Sequence, residues 1–306
     1  MPPKLKNSHP TNKKYLNDIN LSKKGEMINQ LKTVFLLGIL TGILLVIGSF
    51  FGSSGLTIAL LLAIIMNFGS YFFSHKIILM MYRAKETTKS QQPELHELVE
   101  DIVKDMNIPK PKIYTIPTSH LNAFATGPNP KNAVVAFTEG ILHKLSRKEL
   151  KGVAAHELAH IKNRDILIST IAATIAAVIS YVAFITRWAA LFGGMGRDRD
   201  SGNIFHLLIL AIIAPLAAMI VQLAISRSRE YIADATGAKT IKDAEALASA
   251  LEKIHAGTNI NPLRRGLPAT SSIFIINPFH GSTLINLFST HPPIEKRLEK
   301  LRSLKI

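Results

Sequence analysis

Two apolar, uncharged runs stand close together near the start of the chain, at residues 33–51 and 56–74, and they restrict the fold more than any other feature. Each has the roughly 20 residues that a helix needs to cross the hydrocarbon of a bilayer. A helix also lets such a run satisfy its own backbone N–H and C=O groups away from water. The intervening Gly52-Ser53-Ser54-Gly55 reads as a turn, so the runs form a helical hairpin. Asn67, polar within the second run, is expected to face its partner helix. Lysines crowd the approach to the first run. His75, Lys76, Arg83, Lys85 and Lys89 follow the second, while the turn carries no charge. By the positive-inside rule both ends of the hairpin belong in the cytoplasm.

A hydrophobic content of 47% and a mean hydropathy of +0.22 agree with a membrane-bound chain. The net charge of +15 would ordinarily raise nucleic acid as a partner. Here the basic residues gather beside apolar runs, as they do next to anionic lipid, and no aromatic-basic interleaving of an RNA-binding kind is present. The expected partner is therefore the membrane lipid bilayer, and not nucleic acid. There is no cysteine, which excludes disulfides and thiolate metal sites.

Residues 1–26 are polar and basic without an apolar pattern and read as a disordered tail; residues 27–90 hold the hairpin. Beyond it, Leu95, Leu98, Val99 and Ile102 have helical spacing, and Pro109 and Pro111 end that helix. Residues 112–116 read as a strand, and 122–127 and 133–137 as two more, joined by a turn at 128–132. Asn122, Ala123 and Phe124 are candidate substrate-binding residues, on an edge strand that pairs with extended polypeptide; ordinary scaffold is the alternative. Residues 166–192 and 204–226 are again mostly apolar, which predicts a second transmembrane hairpin or, alternatively, a buried hairpin of a soluble core. An amphipathic helix is expected over 243–256, a loop over 259–281, and a basic C-terminal helix with Pro292 and Pro293 in its first turn.

The chemistry centres on His156-Glu157-Leu158-Ala159-His160. Ser146 and Glu149 have the spacing of a capping box and start a helix without proline through Lys162. On that helix His156 and His160 are one turn apart on one face, so both imidazoles reach one ion. Glu157 lies beside them, placed to act on water rather than to bind the metal. The flanks are apolar around most of the helix, and buried polar groups need partners. Zinc would supply them.

If residues 166–226 leave and return at one level, the helix beginning near Arg227 comes back to the histidines. Glu230 would then be a third ligand, and Asp234, one turn on, would accept a ligand ring N–H. A solvated charged helix with surface ion pairs is the alternative.

Several ordered motifs resemble the HtpX-type integral membrane zinc metalloproteases, relatives of the CaaX prenyl proteases. They are Asn122-Ala123-Phe124-Ala125-Thr126-Gly127, the His156–His160 motif, Ser228-Arg229-Glu230-Tyr231-Ile232-Ala233-Asp234 and Ser289-Thr290-His291-Pro292-Pro293. The resemblance runs from about residue 27 to the C-terminus. It implies an α-helical membrane protein with an α+β zincin-like cytoplasmic protease domain and about four transmembrane helices. Residues 91–165 and 227–306 would form that domain, with 166–226 inserted in it. The resemblance also implies one zinc per subunit, Glu230 as third ligand, and His291 and Arg297 as catalytic residues steadying the tetrahedral intermediate. The implied activity is endoproteolysis of misfolded or damaged membrane proteins at the cytoplasmic face. The alternative is a non-proteolytic membrane chaperone or scaffold with a structural zinc, which would have no use for Glu157.

Overall fold

In a computed structural model the residues described are 31–46, 48–49, 52–176, 227–260, 268–277 and 291–306. The expected tail, most of the second hairpin expected over 166–226, much of the loop expected over 259–281, and residues 282–290 lie outside them. The first hairpin is present. Helix α1 spans Leu31–Val46 and α2 spans Gly52–Met81. The expected turn at 52–55 is instead the opening of α2, whose first residue, Gly52, has a left-handed φ of +71° that favours glycine. Asn67 Nδ2 donates to Thr41 Oγ1 at 2.8 Å, which meets the expectation that Asn67 faces its partner helix.

Among the described residues α2 is the one helix long and apolar enough to cross a membrane. Its apolar face is not spent on a protein core. Ile64 and Phe68 are each 58% exposed, as suits a lipid-facing surface. The helix also outruns its apolar stretch. His75 and Lys76 do not break it, and Ile78, Leu79 and then Tyr82 are buried against the soluble part.

That soluble part has a four-stranded sheet in the order β1-β2-β4-β3, built from Lys85–Glu86 (β1), Lys112–Ile116 (β2), Ala123–Thr126 (β3) and Val134–Thr138 (β4). Strands β3 and β4 are the expected antiparallel pair, and β2 runs parallel to β4. All of β4 is buried because both faces are covered. Ala123, Ala125, Val135 and Phe137 face the main core, while Phe124, Val134 and Ala136 meet Ile78, Leu79, Tyr82 and Phe274 on the other side. Tyr82 packs edge-to-face on Phe274 with ring centres 5.0 Å apart. The end of α2 is therefore part of the core that carries the sheet.

Helix α3 (Pro93–Met106) lies where expected and ends in a left-handed Asn107 before the prolines. Then come α4 (Glu139–Lys144) and α5 (Arg147–Lys162). The capping box of α5 is made: Ser146 Oγ accepts from the Glu149 N–H, and Glu149 Oε2 accepts from the Ser146 N–H. Helix α6 (Ile166–Ala176) follows. After the gap come α7 (Arg227–Ile241), α8 (Ala244–Ile260), a 3-10 turn at Pro268–Ile273 and α9 (Ile294–Arg302). Pro293 caps α9 from outside; the two prolines precede its first turn rather than forming it, since proline's missing N–H costs nothing there.

Helix α5 is the centre of the molecule. Val153, Ala154, Ala155, Leu158, Ala159 and Ile161 are all fully buried, enclosed by α3, β3, α7 and α8. Small residues set the spacing. A Cβ on Gly237 of α7 would stand 2.9 Å from the His156 backbone nitrogen and 3.0 Å from the Ala155 carbonyl carbon. Backbone atoms cannot yield as a flexible side chain does. Gly237→Ala is expected to push α7 off α5 and destabilise the fold by about 1–3 kcal/mol. Thermal unfolding in detergent checks this; an unchanged midpoint would show that the contact is not tight.

Candidate metal centre

The close approach of α7 to α5 places Glu230 and Asp234 against the two histidines. One ligand atom from each of His156, His160 and Glu230 lies within 4.8 Å of the others. The Nε2 atoms of His156 and His160 are 3.2 Å apart. Glu230 offers an oxygen at 3.7 Å to each of them. Thus the structure brings together residues from two helices separated by the whole of segment 166–226.

Each ring is fixed from behind. His156 Nδ1 is 2.9 Å from Asp234 Oδ1. His160 Nδ1 is 3.2 Å from both oxygens of Asp165. These contacts put Nδ1–H on each ring and turn each Nε2 toward the common point. Nothing in the sequence pattern marks Asp165 as part of the site. It follows the end of α5, where Arg164 adopts a left-handed φ of 58° and the chain folds back, so that the Asp165 N–H reaches the His160 carbonyl at 3.3 Å. The five-residue step from His160 to Asp165 does not fit helical periodicity, and only the turn brings them together.

Asp234 is held in its turn by Arg297, which donates to it from Nε at 2.8 Å and from Nη2 at 2.7 Å. The third donor of Arg297, Nη1, reaches the Ile275 carbonyl at 2.8 Å and stands 3.7 Å from Glu230 Oε2. Arg297 is 1% exposed and sits behind the histidine, with its donors engaged by protein. His291 is in a different position: its Nδ1 lies 3.3 Å from Glu230 Oε2.

Charge balance governs the protonation of this cluster. Burial lowers the His156 pKa, only partly offset by Asp234. Burial also penalises a charged His160, but Asp165, then Glu230 and Glu157, outweigh it and hold the pKa up at about 10. Burial raises the Glu157 carboxyl to about 8, against the opposing pull of His160. For Glu230 the cost of burial is overcome by His291, His160 and Arg297, which keep it well below the usual carboxylate range. In the metal-free protein, a doubly protonated His160 can then donate from Nε2 to the lone pair of a neutral His156. That proton lies between the two nitrogens that would share a cation. Glu230 Oε2 is buried without a hydrogen-bond partner among the described residues, and a cation would satisfy such an oxygen; Glu157 Oε1, likewise unpartnered, is free to take a water proton.

The adjoining cleft is small, about 20 Å³, and is lined by Ala125, Glu157, His160, Glu230 and residues 272–275. This is room for about one water. Of the candidate substrate residues, none reaches the cleft as its neighbour Ala125 does, with its backbone N–H on Glu157. Asn122 instead donates from Nδ2 to the Ile276 carbonyl and accepts from the Ile275 N–H. Ala123 accepts from the Ile275 N–H through its carbonyl. Phe124 packs its ring in the core. The expected loop therefore contains an ordered stretch docked along the β3 edge, a placement that its Pro, Gly, Asn and Ser content gave no reason to expect.

Arg297→Met is expected to leave the buried Asp234 carboxylate with only the His156 ring and no guanidinium counter-charge, lowering the thermal midpoint by roughly 10 °C. Arg297→Lys should recover little of this, because a lysine cannot reproduce the paired donors. A midpoint within a degree or so of wild type would remove Arg297 from this role.

A model of peptidase family M48 matches residues 89–305. The chain is 50% identical over 283 residues to a protease HtpX homolog of Syntrophobacter fumaroxidans, covering 91% of this chain and 100% of the relative. It is 51% identical over 274 residues to one of Pyrococcus furiosus, covering 89% and 95%. A crystal structure of S. mikatae Ste24p aligns over 91% of this chain and 66% of that one, at 18% identity and a TM-score of 0.47. With the family match running from before α3 through α9 and such relatives matched almost end to end, this chain belongs to peptidase family M48.

Proposed function

We propose that this membrane-associated metallopeptidase holds one zinc ion through His156, His160 and Glu230 and cuts misfolded or damaged membrane proteins at the cytoplasmic face of the bilayer. The observation that carries the reading is the convergence of these three donors beside a buried glutamate, Glu157, that shares their cleft. Two imidazoles and a carboxylate suit zinc, and three protein ligands leave a position open, as in catalytic rather than structural sites. That openness also separates the reading from a scaffold with a structural ion.

When bound, zinc supplies Lewis acidity that lowers the pKa of water toward about 7 and polarises the scissile carbonyl. Glu157 takes the proton of the attacking water and returns it to the leaving amine; its carboxyl, lifted by burial, is near neutrality and suits both steps. Asp234 and Asp165 hold the rings of His156 and His160 with Nε2 forward. His291, beside Glu230, is placed to reach the developing oxyanion, whereas Arg297 acts through Asp234. A peptide is far larger than the cleft, so binding requires residues 272–276 to give way along β3, exposing Ala125 and its neighbours for backbone pairing.

The membrane arrangement belongs to the same proposal. The basic flanks of the first hairpin support a cytoplasmic domain. The apolar composition of 166–226 supports a second hairpin inserted between His160 and Glu230, and so about four spans. Partners are then the bilayer and its proteins, with no nucleic acid.

The test is cleavage of casein, and of the chain itself, by detergent-purified protein with and without chelator and restored zinc. Glu157→Gln is expected to keep one equivalent of zinc and to lose activity by at least about a hundredfold. Zinc loss in that variant would assign Glu157 to binding, and zinc-dependent cleavage that survives it would sink the mechanism.

Zinc affinity should also rise with pH. The proton that Asp165 helps hold on His160, up to about 10, must leave before Nε2 can bind. Affinity should therefore increase between pH 6 and 8 by about tenfold per unit for each proton released, one to two in all, from His160 and Glu157. Calorimetry in buffers of different ionisation enthalpy counts them; a pH-independent affinity would contradict the assignment.

A further inference from the structure

A cavity of about 460 Å³ lies where the first hairpin meets the soluble domain. Its walls include Val34 and Leu37 of α1, Tyr71 of α2, the turn at residues 128–130, and Arg164 with Leu167 where α6 begins. The lining is more apolar than polar. It lies on the other side of Ile166 from the cleft beside the histidines: Ile166 lines both, Arg164 lines this cavity and Asp165 lines the cleft.

The level of this cavity follows from the hairpin. The Asn67–Thr41 hydrogen bond sets the register of two antiparallel helices. Val34 and Leu37 therefore stand opposite the part of α2 around Tyr71, near the end of its apolar run. Two chain segments change from basic to apolar at this level: Lys32 precedes the α1 wall, and Arg164 precedes the α6 wall. Arg229, at the start of α7, is close enough to repel Lys32 and to attract Asp165. Arg164 lines the cavity itself, Lys32 adjoins the lining residue Thr33, and Arg229 lies near Lys32 and the Asp165 carboxylate. Tyr71 has the amphipathic character favoured at such a boundary.

An apolar cavity with a cationic rim at the edge of the hydrocarbon is complementary to a molecule with an acyl chain and a phosphate. We propose that it binds one anionic phospholipid, such as phosphatidylglycerol, with an acyl chain against Val34, Leu37 and Leu167 and the phosphate at Lys32, Arg164 and Arg229. Free phosphate would use the rim alone, and a zwitterionic lipid would gain little from the net charge there. The site rests on reading α1 and α2 as membrane helices. It would also connect lipid to the proposed metal site, because Arg164 precedes Asp165 and Arg229 precedes Glu230.

The test uses the full chain, delipidated in neutral detergent, with native mass spectrometry of its binding to phosphatidylglycerol, phosphatidylcholine and glycerol phosphate. Phosphatidylglycerol is expected to bind roughly tenfold more tightly than phosphatidylcholine, and glycerol phosphate not measurably. Lys32→Gln with Arg164→Gly should erase the preference; glycine accepts the left-handed turn at 164, so the turn itself survives. Equal binding of the two lipids, or a preference that persists in the double variant, would overturn the proposal. Binding of glycerol phosphate as tight as that of the lipid would reassign the rim to a soluble anion.

A second measurement needs only the wild-type chain in nanodiscs. Phosphatidylglycerol with a diazirine on its acyl chain is expected to label the peptides around Val34 and Leu167 above those around Ile64 and Phe68. Labelling confined to Ile64 and Phe68 would leave the membrane helices in place and remove the site. No labelling of any of them would instead remove the membrane reading beneath it.

Discussion

Glu157, Asp165, Glu230 and Asp234 are each less than 5% exposed, crowded around two histidines. Buried charge on this scale is tolerable only if it is neutralised within the cluster. Arg297 supplies one compensating charge from α9, and in the metal-free protein the protons of His160 and Glu157 supply more. A divalent cation can take over from those protons, leaving His160 neutral and Glu157 ionised. The same constraint explains why a C-terminal helix must pack near the centre: without α9, Asp234 would have no counter-charge and His156 no fixed orientation. Helix α8 is tied in similarly at the other end of α5, where Lys253 meets Glu149 at 2.7 Å.

The soluble and membrane parts share structure instead of being joined by a linker. The end of α2 supplies Ile78, Leu79 and Tyr82 to one face of the sheet, and α6 begins directly after Asp165. The hydroxyls of Tyr82 and Thr270 are hydrogen-bonded across the same junction. A tilt of α2 or α6 would therefore be felt in the sheet and at Asp165 and His160 rather than absorbed in a linker.

What could be read from the sequence was whatever follows a fixed period. The capping box, the one-turn spacing of His156 and His160, and the one-turn spacing of Glu230 and Asp234 are local patterns, and the structure contains each as a local fact. The β3–β4 pair and α3 were legible for the same reason, with proline and glycine marking their ends. The rest depended on turns and long-range fit. Asp165 reaches His160 through a left-handed arginine that no propensity would have predicted. Ser272–Ile276 lies against β3 because Asn122 can bond its backbone, which is a property of the pair and not of either segment. Arg297 was placed near the site by resemblance; its position behind Asp234 needed coordinates. The extension of α2 past Ser74 was hidden by His75 and Lys76, which end an apolar run without ending a helix.

The order of the donors along the chain has a consequence during synthesis. His156, Glu157 and His160 leave the ribosome about seventy residues before Glu230, and Arg297 follows later still. A growing chain at that stage has two imidazoles but neither the third donor nor the counter-charge for Asp234. The proposed centre is complete only once Glu230 has joined the two histidines and the C-terminal helix has docked on Asp234. An unfinished or wrongly inserted copy would thus lack an assembled centre, and the enzyme would need no removable propeptide to stay silent while it is being made.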